Sequence, residues 1–587
     1  MNSYYTTERN VQILIQVLKA NNIKKVIASP GTTNICFIAS IQQDPFFTIY
    51  SAPDERSAGY IACGMAAETG EPVVISCTGA TASRNYMPAL TEAYYRKLPI
   101  LAITSSRRSS RIGHNYDQVT DRTQLPNDIA KLSVQLPVIL DADNEWAVNV
   151  AANKAILELN HRGKGPVHIN LETDYSRIYD IKDLPATRII RRYTNRDELP
   201  AIEASRVVIF VGSHAPWSER LSESVDKFCV QNNAIVLCDQ ISNYKGKYRA
   251  FVNFHTIQRD FKSIVMNADL MIHIGDVAAS SYTINAKSVW RVNEDGEIRD
   301  PFRKLTNVFE MTEEEFFSSY INEDSIDSNL EFWNEYEKEE KTIRALLDDK
   351  VERLPFSNAW IASQTARVLP DNSVLHLGIQ NSLRFWNFFD TPQSVLGFCN
   401  TGGFGIDGPL STVIGAALAS PTKIHYVVLG DLAFFYDLNS LGNRHLPNNM
   451  RIILINNGRG TEFKLTGNPG AMFGDDADAY IAAAGHYGKK SKDLVKHYAQ
   501  DLGMTYYFAE NKEEYLAIKG ELLVSECSAP IILEVFTNSE DENKALNLIS
   551  TTVTTPMKTV VRSVKDFTRM TIGERGTKVL TTIMGKQ

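Results

Sequence analysis

Apolar residues fall along this chain in two rhythms. Val11, Leu14, Ile15 and Leu18 recur at helical spacing, whereas residues 26–28, 73–76 and 100–104 are short continuous runs that end in small polar residues. Helices are predicted between those runs, notably over 56–68 and 87–96. That alternation is the signature of a parallel sheet with crossover helices. The rhythm stops in a polar stretch, 180–200, which reads as a linker, and restarts with strands over 207–212, 235–239, 270–275 and 288–292. A strongly charged helical stretch, 323–353, separates this second block from a third, with strands over 373–377, 424–429, 452–455 and 531–535. The expected architecture is α/β, with three doubly wound, mostly parallel sheet domains over 1–185, 195–345 and 355–540. A basic C-terminal extension, 541–587, follows, and from residue 539 onward the pattern has no clear place in the third sheet.

Bulk properties narrow the function classes. A chain of 587 residues is too long for one core. A net charge of −8 argues against a nucleic-acid partner, which needs a basic face. The seven cysteines are scattered with no C-x-x-C pair, so neither a disulfide framework nor a structural zinc site is indicated, and a reducing cytoplasm fits. The N-terminus lacks the basic and apolar regions of a secretory signal, and no run approaches the roughly 20 apolar residues of a membrane helix.

Candidate chemistry concentrates in VVLGDLAFFYDLNSLGNRHLPNNMRIILINNGRGTEF. One apolar run delivers Asp431 to the end of a strand, and a second delivers Asn456 and Asn457 to the end of another. Ligands of open α/β sheets bind at such carboxyl ends. Asp431 and Asn457 carry hard oxygen donors of the kind Mg²⁺ or Ca²⁺ prefers over zinc, and a divalent cation held this way usually carries a phosphate with it. Each dipeptide alone is an ordinary turn. A second motif opens a helix with a carboxylate, Asp54-Glu55-Arg56, and continues in small residues that suggest close packing.

Taken together these segments resemble the thiamine diphosphate-dependent enzymes. The resemblance runs from about residue 8 to residue 540 and rests on SPGTTN, DERSAGYIACGMA, TGATASRNYMPALTEA, CNTGGFGIDGPLST, GDLAFFYDLNSL and ILINNGRGTEF. GIDG-x-LST and GDL-x-x-x-x-DLN-x-L look like the branch that joins 2-oxoglutarate to isochorismate in menaquinone biosynthesis. The resemblance implies a pyrimidine-binding first domain, a structural central domain and a diphosphate-binding third domain. It implies thiamine diphosphate and Mg²⁺ as cofactors, and a homodimer or homotetramer, since the first domain of one subunit would meet the third of another. Glu55 is expected to hydrogen-bond the cofactor's pyrimidine ring. Gly405, Ile406, Asp407, Gly430, Leu432 and Ala433 are expected against the cofactor, with Ile406 the bulky residue that bends it. Asp431, Asn457 and the carbonyl of Arg459 are expected to hold the metal.

The departures from that branch concern the substrate. Thr33 stands where the branch has one arginine and Thr401 where it has another, and its central-domain lysine has no counterpart within 276–282. Arg384 remains where the branch places a pocket arginine; Thr32, Arg107 and Gln118 are further candidates near the substrate. The implied activity is decarboxylation of a small 2-oxo acid, with release of an aldehyde or transfer of the acyl group to an acceptor. The alternatives are acetolactate-type transfer from pyruvate and a non-catalytic thiamine diphosphate-binding assembly protein. A nucleotide-binding oxidoreductase is disfavoured, because Val211-Gly212-Ser213 lacks the full glycine fingerprint.

Overall fold

The computed structural model describes residues 4–251, 253–279, 284–322, 330–486, 490–524 and 527–553. It forms two compact units, built from the described parts of 1–199 with 294–310 and of 200–293 with 311–587. Strands are numbered along the chain.

The first unit carries β1 (Lys25–Ala28), β2 (Thr48–Ser51), β3 (Val73–Thr78), β4 (Ile100–Ser106), β5 (Leu132–Leu136) and β6 (Val167–Glu172). They form one sheet in the order β2-β1-β3-β4-β6-β5, every described pairing parallel. The order reverses between β1 and β3, so a crevice opens beyond their carboxyl ends. The expected first helix is Arg9–Ala20, and Val11, Leu14, Ile15 and Leu18 are all fully buried under the sheet. Helix Glu55–Thr69 buries Ala58, Gly59, Ala62, Cys63 and Ala66, and helix Met87–Tyr95 packs against it. A Cβ on Gly59 would lie 2.5 Å from that of Ala89, so only glycine permits this approach. The small residues after the carboxylate therefore do serve close packing. The stretch expected as a linker contains a strand, β7 (Arg191–Thr194), which pairs in parallel with β13 (Leu305–Glu310). Its polar side chains hid it, because an edge strand needs no continuous apolar run.

The second unit carries β8 (Val207–Val211), β9 (Ala234–Cys238), β10 (Arg249–Phe251), β11 (Asn267–Ile274) and β12 (Asn285–Val292), in the parallel order β10-β9-β8-β11-β12. Helix Glu331–Val351 fits the charged stretch, of which 323–329 lie outside the described residues. Only Phe332, Tyr336, Ile343 and Leu347 of that helix are buried, a single face.

The same unit holds a further sheet of β14 (Val374–Leu377), β15 (Leu396–Phe398), β16 (His425–Gly430), β17 (Met450–Asn456), β18 (Thr505–Ala509) and β19 (Ile531–Phe536). Its order is β15-β14-β16-β17-β19-β18, all parallel. The order reverses between β14 and β16, which puts the ligand crevice of this sheet beyond Leu377 and Gly430. The tail begins as a helix, Ser539–Ser550, with Asn538 as its cap, and Ala545, Leu546 and Ile549 join the core of this sheet. The expectation that the chain leaves the sheet at residue 539 is thus corrected: an N-cap with three acids in the first turn is a helix start. The basic residues from 558 onward lie outside the described residues.

Candidate active site

The register of β16 and β17 pairs Gly430 with Ile455, so the two strands end side by side. Asp431 opens helix Asp431–Tyr436, and Asn457 follows β17 directly. Gly458 takes φ +72°, a left-handed turn, and its N–H joins that of Leu432 on the Asp431 carboxylate. Only 5 % of Asp431 is exposed, and burial pushes its pKa up to about 7, against the pull of those N–H groups. The nearby Glu534 carboxylate raises it further. Glu534 is itself buried and accepts hydrogen bonds from Asn456 Nδ2 at 2.7 Å and the Tyr506 hydroxyl at 2.8 Å. Asp431 has no ion-pair partner among the described residues, and the buried Oδ1 of Asn457 has no hydrogen-bond partner. A buried carboxylate and an orphaned amide oxygen on neighbouring strand ends fit a hard divalent cation, which would satisfy both. The third expected donor, the carbonyl of Arg459, accepts from Thr461 N–H at 2.9 Å and keeps its second lone pair.

A cavity of about 530 Å³ opens over this edge. Gly430, Asp431, Leu432, Ala433, Asn457 and Arg459 line one wall. Gly405, Ile406 and Asp407 line the cavity too, so all nine third-domain residues expected against the cofactor or its metal come together. The two wall segments are fastened by Asp437. Its carboxylate accepts from the backbone N–H and the hydroxyl of Ser411, both at 2.6 Å, at the start of helix Pro409–Ala419. The GIDG-x-LST and GDL-x-x-x-x-DLN segments are therefore two halves of one contact.

The cavity also takes in residues that the motifs did not announce. Glu542, from the tail helix, is 1 % exposed. Its Oε1 accepts from Asn358 N–H and the Thr537 hydroxyl, both at 2.9 Å, while Oε2 is buried without a partner, and burial pushes the pKa up to about 7. Glu462 lines the same cavity. The sequence signal for Glu542 was the helix cap alone, which announces a helix and not a site.

Arg384 does not line that cavity but an adjoining one of about 660 Å³, with Gln380 and Phe404 common to both. Its guanidinium is forked onto Glu462, at 2.6 and 3.0 Å, and reaches Asn381 Oδ1 at 2.7 Å. Thr401 is buried outside both cavities, with its hydroxyl 3.5 Å from that of Ser213.

In the first unit, Glu55 is the first residue of its helix and half-buried, with Asn85 Nδ2 donating to Oε2 at 3.4 Å. Thr32 lines a cleft of about 770 Å³ beside β1 and β2. Thr33 faces the other way: it is buried, its hydroxyl donates to the Ser105 carbonyl at 2.6 Å and meets that of Thr78. Arg107 stacks on Tyr175 and pairs with Asp117 at 3.0 Å. Gln118 is exposed, with φ +57°, and neither it nor Arg107 lines that cleft.

Residues 9–125 match the family model described as the thiamine pyrophosphate enzyme N-terminal TPP binding domain. The chain belongs to the thiamine pyrophosphate enzyme family; it is a thiamine diphosphate-dependent enzyme. Along almost its whole length it is similar to the 2-succinyl-5-enolpyruvyl-6-hydroxy-3-cyclohexene-1-carboxylate synthase of Bacteroides thetaiotaomicron, with 31% identity over 565 residues, 92% of this chain and 98% of that protein. The synthase of the same name from Bacteroides fragilis is 30% identical over 575 residues, with the same two shares. That of Flavobacterium johnsoniae is 28% identical over 552 residues, 90% of this chain and 95% of that protein. The resemblance read from the motifs is thereby established, and thiamine diphosphate is the cofactor. All seven cysteines are free thiols, and no helix among the described residues is long and apolar enough to cross a membrane.

Proposed function

We propose that this enzyme decarboxylates a small 2-oxo acid and either releases the aldehyde or transfers the acyl group to an acceptor. The observation that carries the reading is that buried Asp431 and the orphaned Asn457 Oδ1 line the same cavity as Ile406. In this reading residues 355–540 hold the diphosphate, 1–185 hold the pyrimidine ring, and 195–345 are structural. Asp431, Asn457 and the carbonyl of Arg459 would hold Mg²⁺. A bound cation would hold the Asp431 carboxylate ionised despite its burial and so anchor the cofactor's diphosphate.

When bound, thiamine diphosphate supplies the electron sink that decarboxylation of a 2-oxo acid requires. The chain's own contribution is placement. Ile406 shapes the cofactor's path, Asp437 fixes the loop that carries Ile406, and Glu55 accepts a hydrogen bond from the pyrimidine ring in a second copy's site. That last role makes a homodimer the smallest active assembly.

The synthases to which the chain is similar do not pass their substrates to it directly. Thr33 is turned into the protein and Thr401 is buried away from both cavities, so neither offers an anion contact. These positions support a less anionic substrate pair than the relatives' names describe. The test is a screen of 2-oxo acids with thiamine diphosphate and Mg²⁺, reading carbon dioxide release and product mass. Turnover of at least one donor, lost in Glu55→Gln, is expected. A protein that releases no carbon dioxide from any donor contradicts the proposal.

A further inference from the structure

Two adjoining cavities of the second unit meet at one charged pair. Arg384 lines the larger cavity and Glu462 the smaller, and Gln380 and Phe404 belong to both walls. The guanidinium forks onto both carboxylate oxygens of Glu462, at 2.6 and 3.0 Å. Asn468 Nδ2 adds a contact to Oε1 at 3.5 Å, so the carboxylate is held from two directions. The pair is mostly shielded, with side-chain exposures of 28% and 20%. Among the described residues lining the larger cavity, Arg384 carries the only formal charge, and it is already met.

What remains in the larger cavity is neutral. Ile257, Leu383 and Phe388 give it apolar surface, and Asn253, Thr256 and Asn387 give it amides and a hydroxyl. Neutral amides and a hydroxyl in a cavity wall suit an uncharged oxygen or N–H group in the ligand. A second carboxylate entering here has two poor choices. It must displace Glu462 from Arg384, or lie beside it as a like charge.

From this arrangement we propose that Glu462 is a specificity-determining residue. By occupying Arg384 it reserves the 660 Å³ cavity for a substrate chain that is uncharged and carries a hydroxyl or carbonyl oxygen, and it excludes dicarboxylic donors. The inference deepens the proposed function and rests on it for the identity of the cavity's occupant.

The test uses ligands that cannot turn over: glutarate, a dicarboxylate, and its monoamide, which replaces one carboxylate by a neutral group of the same size. Both are titrated calorimetrically into the full-length protein with thiamine diphosphate and Mg²⁺. The wild type is expected to bind the monoamide about 10-fold more tightly or better, the scale of one charge-assisted contact. Glu462→Gln and Glu462→Ala are each expected to reverse that preference, and adding Arg384→Met to either is expected to abolish the gain in glutarate binding. A wild type that prefers glutarate, an unchanged ratio in both Glu462 variants, or no binding of either ligand by any of these proteins overturns the inference. Because no decarboxylation is read, a protein inactive on every 2-oxo acid sinks the proposed function while leaving this result interpretable.

Discussion

Replacing Asn457 by leucine separates the stability of the empty site from its function. In the protein without ligands, Asn457 Oδ1 is buried and accepts no hydrogen bond. An unsatisfied buried polar atom of this kind costs about 1–3 kcal/mol, and replacing it with an apolar group of the same shape removes that cost. Leucine has nearly the shape of asparagine, so Asn457→Leu is expected to stabilise the unliganded protein. At about 2.1 cal/mol/K per residue, 1 kcal/mol moves the melting temperature of a unit this large by about 1–2 °C. The melting temperature should therefore rise by about 1 °C or more. The wild type should gain about 2.7 kcal/mol from ligand at 100 times its dissociation constant. The variant, having lost a metal donor, should gain little. Differential scanning fluorimetry with and without thiamine diphosphate and Mg²⁺ reads both effects, which have opposite signs. A variant that melts lower than wild type when empty and retains the full ligand-induced shift refutes the reasoning.

Glu542 gives a pH signature. Its pKa in the folded protein is about 7 against an ordinary 4.5, so the folded state holds the proton through that interval and the unfolded state does not. Its contribution is intact below pH 4.5 and is lost as the pH rises through 7, at most about 3 kcal/mol. Glu542→Gln keeps the acceptor oxygen and should flatten that part of the denaturation-midpoint profile between pH 5 and 8, measured without ligands. Asp437→Ala releases the Ser411 anchor and should weaken thiamine diphosphate binding by calorimetry while lowering stability by about 1–2 kcal/mol. Gly59→Val forces a Cβ into the 2.5 Å contact with Ala89, and a loss of about 1–3 kcal/mol is expected in urea denaturation.

The parallel strands were legible because their cores are continuous apolar runs: β3, β4, β16 and β17 all fall where the runs fall. The polar edge strand β7 was not, since its exposure removes the pattern that would mark it. At the site, the strand ends bearing Asp431 and Asn457 were legible because strand, turn and donor are adjacent in the chain. Glu542 was not, because it reaches the cavity from the helix after β19, and only the fold brings it beside Asn358. Arg384 shows a different limit. The sequence placed it in a substrate pocket. Its partner Glu462, 78 residues away, turns that charge inward. Whether a charge is free or already answered depends on a distance that no local pattern carries.

The central claim is that Asp431 and Asn457 hold the cofactor's diphosphate through a divalent cation. Calorimetric titration of thiamine diphosphate into the metal-stripped protein, with and without Mg²⁺, tests it directly in the wild type and Asp431→Asn. One cofactor per chain is expected to bind in the presence of Mg²⁺, with little binding in its absence and little in the variant under either condition. Equal affinity with and without Mg²⁺, unchanged by Asp431→Asn, would contradict the account.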